Sequence, residues 1–235
     1  MITIKIAELA IGIDNKYKGI ERLAKDYLTD EEPKFTVQVT DEEIEEERIS
    51  SQTDFAPSYY ESIIAYRKIA EILPSYDAFL FHGSVIEYKG KAYVITAHSG
   101  VGKTTHTRLW MSEFGDEVKI LNGDKPTVRI INGEAYACGT PWQGKENYGR
   151  NAMCKIAGFA FLTRAEENRA YEIEPREAVM RFMSQIYLPK KSRAALAKTM
   201  ILADRVLKDV KLVHLECNMQ PEAAHVCRAA LTGGK

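Results

Sequence analysis

Apolar and polar residues are spaced along the chain in two registers. Residues 2–12 and Lys34 to Thr40 read as strands, the second alternating as a half-exposed strand does. Between them, Gly19 to Leu28 suits a short helix. Asp41 to Glu47 is an acidic run, read as a solvated helix or loop. Ser58 to Leu73 is amphipathic, with Tyr59, Ile63, Tyr66, Ile69 and Leu73 near one face, Ser58 as cap and Pro74 as stop. A denser apolar pattern follows. Ala78 to Tyr88 predicts a strand, Lys89-Gly90 a hairpin turn and Lys91 to Thr96 the return strand. Thr105 to Trp110 reads as helix and Val118 to Asn122 as a buried strand. Thr127 to Ile131 and Ala135 to Cys138 flank an Asn132-Gly133 hairpin turn. Ile156 to Thr163 is a further buried strand, and Lys211 to Cys217 another. Helices are expected over Pro175 to Met183, Arg193 to Leu207 and Pro221 to Leu231. The pattern gives an α/β chain, with an N-terminal strand and helix segment (residues 1–75) packed on a core domain (residues 76–235).

The segment with the most chemical content is Ala97-His98-Ser99-Gly100-Val101-Gly102-Lys103-Thr104-Thr105. It leaves one predicted strand and enters one predicted helix, the layout of a phosphate-binding loop. Glycines let successive N–H groups point inward, and the helix N-terminus adds unpaired N–H groups and the positive end of its dipole. Ser99, Gly100, Val101, Gly102, Lys103, Thr104 and Thr105 are the expected nucleotide-binding residues, with Lys103 on the outer phosphates and the Thr104 hydroxyl on Mg²⁺. The usual pattern has Gly where this chain has Ala97; the alternative is an ordinary Gly-rich turn with a solvated lysine.

Composition narrows the partners. With 32 basic and 33 acidic residues among 235, the formal charge of −1 speaks against nucleic acid as the main partner. No apolar run approaches a membrane span, and the N-terminus has no basic start or cleavage site, so no membrane association and a cytoplasmic location are expected. Cys138, Cys154, Cys217 and Cys227 form no C-x-x-C pair and read as reduced, buried thiols rather than metal ligands.

Three further features surround the loop. Asp124 follows an apolar strand, as a metal-holding or proton-accepting carboxylate would, and Gly123 permits close backbone approach. His82 lies one hairpin upstream of the loop and reads either as a core histidine or as an acid–base group. In Gly139 to Glu146, Lys145 is a candidate to steady transferring charge and Trp142 to pack against a substrate.

Together, His82-Gly83-Ser84, Ser99 to Thr105 and Gly123-Asp124 resemble the catalytic domain of HPr kinase/phosphorylase and phosphoenolpyruvate carboxykinase. The chain also resembles uncharacterised bacterial HPr-kinase-like proteins with Asn-Gly-Asp-Lys-Pro and Gly-Thr-Pro-Trp-x-Gly-Lys, here Asn122 to Pro126 and Gly139 to Lys145. The resemblance spans roughly residues 76–190. It implies a carboxykinase-like P-loop fold with a mixed, curved sheet, ATP and Mg²⁺ as cofactors, and Thr104 and Asp124 as metal ligands. Lys125 stands where the family has a second acid, and the Glu-x-Arg-Gly segment of HPr kinase has no counterpart. The expected activity is transfer of the γ-phosphoryl group of ATP to a hydroxyl, with serine the first expectation, of a peptide, protein or small molecule, with Asp124 or His82 accepting the proton and Lys103 neutralising charge. The alternatives are a non-catalytic nucleotide-binding regulator or maturation partner, and a carboxykinase-type metabolic enzyme; a homo-oligomer is compatible with either.

Overall fold

The computed structural model describes residues 1–234. Its first layer is a three-stranded sheet. β1 (Ile2–Ile6) and β2 (Leu9–Asp14) form an antiparallel hairpin, and β3 (Phe35–Gln38) runs parallel to β2. The continuous strand expected over residues 2–12 is therefore two strands. The turn between them consists of Ala7 and Glu8, both with positive φ (50° and 58°). Such a turn normally announces itself with Asn or Gly, and here it does not.

Helices α1 (Lys18–Leu23), α2 (Asp41–Ser51) and α3 (Pro57–Ile72) cover this sheet. The acidic run is helical because Thr40 and Glu43 form a reciprocal capping box and its carboxylates sit at the positive end of the helix dipole. In α3 the cap is Ala56 and Pro57 opens the helix, one residue before the expected Ser58. The face of α3 also differs from the expectation. Ile69 is buried, and so is Leu73 just beyond the helix, but the rest of the packed face is Tyr60, Ile64, Ala65 and Ala70, while Tyr59 is half exposed. The carboxylate of Glu61 is buried as well, accepting from the backbone N–H of Lys16 at 2.5 Å and Tyr17 at 3.2 Å. Tyr59, Ile63 and Tyr66 turn instead towards a cleft.

The second layer is a nine-stranded mixed sheet. β4 (Ala78–Leu80), β5 (Ser84–Tyr88) and β6 (Lys91–Thr96) lead into α4 (Lys103–Phe114), which starts two residues earlier than its apolar pattern suggested. β7 (Val118–Asn122), β8 (Thr127–Ile131), β9 (Glu134–Cys138), β10 (Met153–Arg164) and β11 (Arg169–Glu172) follow. α5 (Pro175–Met183), α6 (Arg193–Asp209), β12 (Lys211–Cys217) and α7 (Glu222–Thr232) complete the chain. The order is β4-β8-β9-β10-β6-β5-β7, with β12 beside β10 and β11 beside β12. β10 folds the sheet. Met153 to Lys155 pair antiparallel with β9, and after a register shift between Ile156 and Gly158 the strand pairs parallel with β6 and β12.

The strand expected over 78–88 makes the same crossing and breaks doing so. β4 pairs with β8 and β5 with β6 and β7, leaving His82 and Gly83 in the break. The β7-to-β8 connection, residues 123–126, crosses beside it: Phe81 donates to the Pro126 carbonyl at 3.0 Å and Gly83 to that of Asp124 at 3.0 Å. Since β6 and β7 are each antiparallel to β5, they are parallel to one another, and the loop after β6 and Asp124 after β7 emerge at the same sheet edge.

Aromatic side chains fill both sides. Phe79, Phe81, Phe159 and Phe182 form one cluster, and Trp110 packs with Tyr88, Tyr93 and Phe114 in another. His106 lies buried beside Trp110, whose indole Nε1 donates to its Nε2 at 3.1 Å. Burial pulls the imidazole pKa down to about 4. The unfolded chain takes up this proton first, so the stabilisation is complete above pH ~6.5 and drains away as pH falls towards 4. Unfolding free energy is expected to drop by about 2 kcal/mol between pH 7 and pH 5 from this residue alone. Urea melts of wild type and His106→Leu at both pH values check this; equal pH dependence in the two proteins would refute it.

Among the described residues, no helix is long and apolar enough to cross a membrane. All four cysteines are buried free thiols; burial raises Cys138 to about 12 and Cys217 to about 11, which keeps both protonated.

Candidate functional site

The sheet edge where β6, β7 and the β4–β5 break converge opens into a cleft of about 910 Å³. One end is the loop of residues 97–102. Gly100 (φ +80°) and Gly102 (φ +133°) take backbone conformations that L side chains avoid, and no atom lies within 4 Å of where either Cβ would stand. The space beside both glycines is thus open, while the Lys103 side chain reaches back to the Ala97 carbonyl. Arg164, at the end of β10, holds its outer side by donating to the carbonyls of Gly100 and Val101.

Lys103 is the first residue of α4. Its ammonium is buried and donates to the Ala97 carbonyl at 3.0 Å, its one hydrogen bond among the described residues. Burial lowers its pKa, with Asp124 opposing that shift and Lys125 adding to it. Thr107, one turn on, ties α4 down by donating to the Lys103 carbonyl at 3.0 Å, with its hydroxyl 2.9 Å from that of Ser84.

Asp124 faces the loop across the cleft. Burial opposes its ionisation, but the hydrogen bond from His82 and the charge of Lys125 outweigh it, so its pKa lies below the usual carboxylate value. His82 Nε2 is 3.3 Å from Oδ1, and Lys125 Nζ is 3.4 Å from Oδ2. The other imidazole nitrogen, Nδ1, lies 3.1 Å from Gln185 Oε1. The Gln185 amide is oriented from behind: the Ser184 hydroxyl donates to Arg181 and accepts from Gln185 Nε2, which leaves Oε1 for the histidine. The ring is thus held between Gln185 Oε1 and Asp124 Oδ1, with Nε2 turned to the Asp124 carboxylate as a hydrogen-bond donor.

The residue that places Asp124 is Asn122. Fully buried, it accepts from the N–H of Asp124 at 2.8 Å and of Lys125 at 2.7 Å through Oδ1, and donates to Thr140 at 3.1 Å through Nδ2. The Thr140 hydroxyl donates to the Lys125 carbonyl at 2.7 Å. Gly123 is required here, because a Cβ would come within 2.5 Å of the Gln143 carbonyl oxygen. The sequence carries the signal for this turn, since Asn readily bonds to N–H groups two and three residues on, but the pattern alone does not show that its side chain is buried or tied to Thr140.

Residues 139–149 form the remaining wall. Gly144 packs against Asp124, Trp142 donates from Nε1 to Ser62 Oγ at 3.0 Å, and Gln143 reaches Tyr27 at 3.3 Å. Lys145 lies in the same cleft, exposed. The structure thus brings together Ser99, Gly100, Gly102, Lys103, Thr104, Thr105, His82, Asp124, Trp142 and Lys145; Val101 faces the other way, into a second pocket of about 360 Å³ behind the loop. Gly102 and Thr105 line both. Sequence reasoning missed Asn122 and Gln185 as positioning residues, and it missed the whole contribution of α3. Gln185 has no local signal, being 103 residues from the histidine it orients.

No family model matches the chain, and no curated protein matches it in sequence. Among solved structures it is similar to the Hpr(Ser) kinase/phosphatase from Coxiella burnetii, at 11% identity and a TM-score of 0.30 over 54% of this chain and 96% of that one. So faint a likeness carries no weight for the site, whose reading rests on the geometry above.

Proposed function

We propose that the protein is an ATP- and Mg²⁺-dependent kinase that transfers the γ-phosphoryl group to a hydroxyl. The observation that carries this reading is the buried Lys103 ammonium, with a single carbonyl partner, at the mouth of an open glycine loop and facing Asp124. A buried cation so poorly partnered is costly unless an anion completes its shell. The donor set suits a polyphosphate: N–H groups of the glycine loop, the N-terminus of the twelve-residue α4, and Lys103.

The residues also fit a hard divalent cation. Thr104 and Asp124 offer two oxygens, and no group of three or more His, Cys, Asp or Glu side chains that could hold a metal occurs among the described residues. Mg²⁺ commonly takes few protein ligands and completes its shell with phosphate and water. When bound, such an ion neutralises charge developing on the transferred group. The proton goes to the chain's own base. The Asp124 carboxylate accepts it, oriented by His82, whose Nε2 lies 3.3 Å from Oδ1 and whose Nδ1 is anchored on Gln185. Lys103 offsets charge on the outer phosphates, and Lys145, which lines the same cleft, steadies the transferring group.

Labelled-ATP transfer tests the division of labour. His82→Gln is expected to keep ATP affinity within a few-fold and lower transfer by about 10²–10³. Asp124→Asn should weaken Mg²⁺-dependent ATP binding as well as transfer. If both variants bind and transfer as the wild type does, the assignment fails. The observation favouring a binding-only role is Lys125, which occupies the second oxygen of Asp124; tight ATP binding without transfer to any acceptor or to water would support that reading.

A further inference from the structure

Beyond the γ-phosphate position the cleft does not end at Asp124. Gly144 stands against the Asp124 side chain, and two residues before it Trp142 packs against Tyr66 in a tilted pair with ring centroids 5.3 Å apart. Trp142 is fixed by its hydrogen bond to Ser62, so α3 and the 139–149 loop form one wall. Tyr59 and Ile63 extend that wall along α3, and Leu23 faces it. Tyr59 is 47% exposed and Leu23 37%, and Phe55 packs at a tilt against Tyr59, ring centroids 4.6 Å apart. An apolar, largely aromatic surface this close to a reacting centre is poorly matched to water.

The nucleoside does not need this surface. The second pocket, behind the loop, shares Gly102 and Thr105 with the cleft and offers a place for it, and none of Tyr59, Ile63, Tyr66 and Trp142 lines that pocket. The aromatic wall is thereby left for the acceptor.

The charges describe what that acceptor carries. Asp124 is matched by His82 and Lys125, Glu146 by Arg108, and Arg67 by Glu47. Lys103 and Lys145 have no carboxylate partner among the described residues of the cleft. Two ammonium groups balance the double negative charge left on a magnesium-bound triphosphate, and no charge remains to be met by the acceptor.

Resting on the kinase reading above, we infer that the acceptor is an uncharged alcohol with an apolar, aromatic or branched aliphatic body, held by Tyr59, Ile63, Tyr66 and Trp142. Its O–H bond breaks with the proton passing to the Asp124 carboxylate. The new O–P bond forms as the bond from the γ-phosphorus to the diphosphate oxygen breaks, releasing ADP.

Trp142 reports binding directly, since the other tryptophan, Trp110, is fully buried. With Mg²⁺ and a non-transferable ATP analogue present, tryptophan fluorescence is titrated with 2-phenylethanol, glycerol and glycerate, and analogue affinity is measured separately by calorimetry. Phenylethanol is expected to saturate the signal at least about tenfold below the other two, and Tyr59→Ser to remove that preference while analogue affinity stays unchanged. With ATP, the same substitution should raise the KM for phenylethanol about tenfold and leave kcat within about threefold. Equal or tighter binding of glycerol or glycerate overturns the proposal, as does loss of analogue affinity in Tyr59→Ser, which would place the nucleoside on this wall. Failure of the wild type to bind the analogue overturns the kinase reading and this proposal with it; binding without the preference overturns this proposal alone.

Discussion

Replacing Lys103 with Met is expected to leave the ligand-free protein at least as stable as the wild type while cutting its affinity for Mg²⁺-ATP by about 100-fold or more. The two halves of that result have one cause. In the free protein the ammonium is buried with a single carbonyl partner, and burial disfavours its charge, so a methionine of similar length removes an unpaid desolvation. With ATP bound, the same ammonium gains charge-assisted hydrogen bonds to phosphate oxygens, worth about 3 kcal/mol together. Thermal shift with and without Mg²⁺-ATP checks both. The ligand-free midpoint should hold or rise and the ATP-dependent increment should vanish. A variant that melts early without ligand, or keeps the increment, would show that Lys103 is structural.

The second large effect belongs to a residue that touches no substrate. Asn122→Ala strips a partner from two N–H groups, those of Asp124 and Lys125, and from Thr140. Leaving buried polar groups unpaired costs about 3–4 kcal/mol in sum, which for a chain of this length is a fall in melting temperature of about 10 °C. The turn that presents Asp124 loosens as well, so phosphoryl transfer falls further than stability alone explains. Thr140→Val is the informative partner variant, because it leaves the Asn122 acceptor for both N–H groups and removes only the hydroxyl that accepts from Nδ2 and donates to the Lys125 carbonyl. It should retain most of the stability. Melting curves for the pair separate the contributions, and equal losses in the two variants would assign the effect to the Thr140 side instead.

These two residues also mark the limits of what the chain discloses before it folds. The strand, glycine loop, Lys103 and following helix were legible because each feature is local: a positive-φ glycine, an apolar run, a helix start. Asp124 was legible by its place after β7. The crossings between the two halves of the sheet were not. Residues 78–88 read as one strand because nothing in Phe81-His82-Gly83 signals a break; the break exists because β4 belongs to β8 and β5 to β6. Ala7-Glu8 hid a hairpin for the opposite reason, being a turn built from residues that usually avoid it. The face of α3 was misread because Tyr59, Ile63 and Tyr66 have core spacing, yet they line the cleft while Tyr60 and Ile64 take the core. Helical periodicity tells which side chains are apolar, not what they are kept for. The Gln185–His82–Asp124 line could be read only from the fold, since two of its links join residues far apart in the chain.

The measurement that bears most directly on the account is a calorimetric titration of the wild type with ATP, once with Mg²⁺ and once with a chelator. The account predicts binding with Kd in the range of roughly 1–100 µM with the metal and at least about tenfold weaker binding without it. No binding at millimolar ATP in the presence of Mg²⁺ would contradict it.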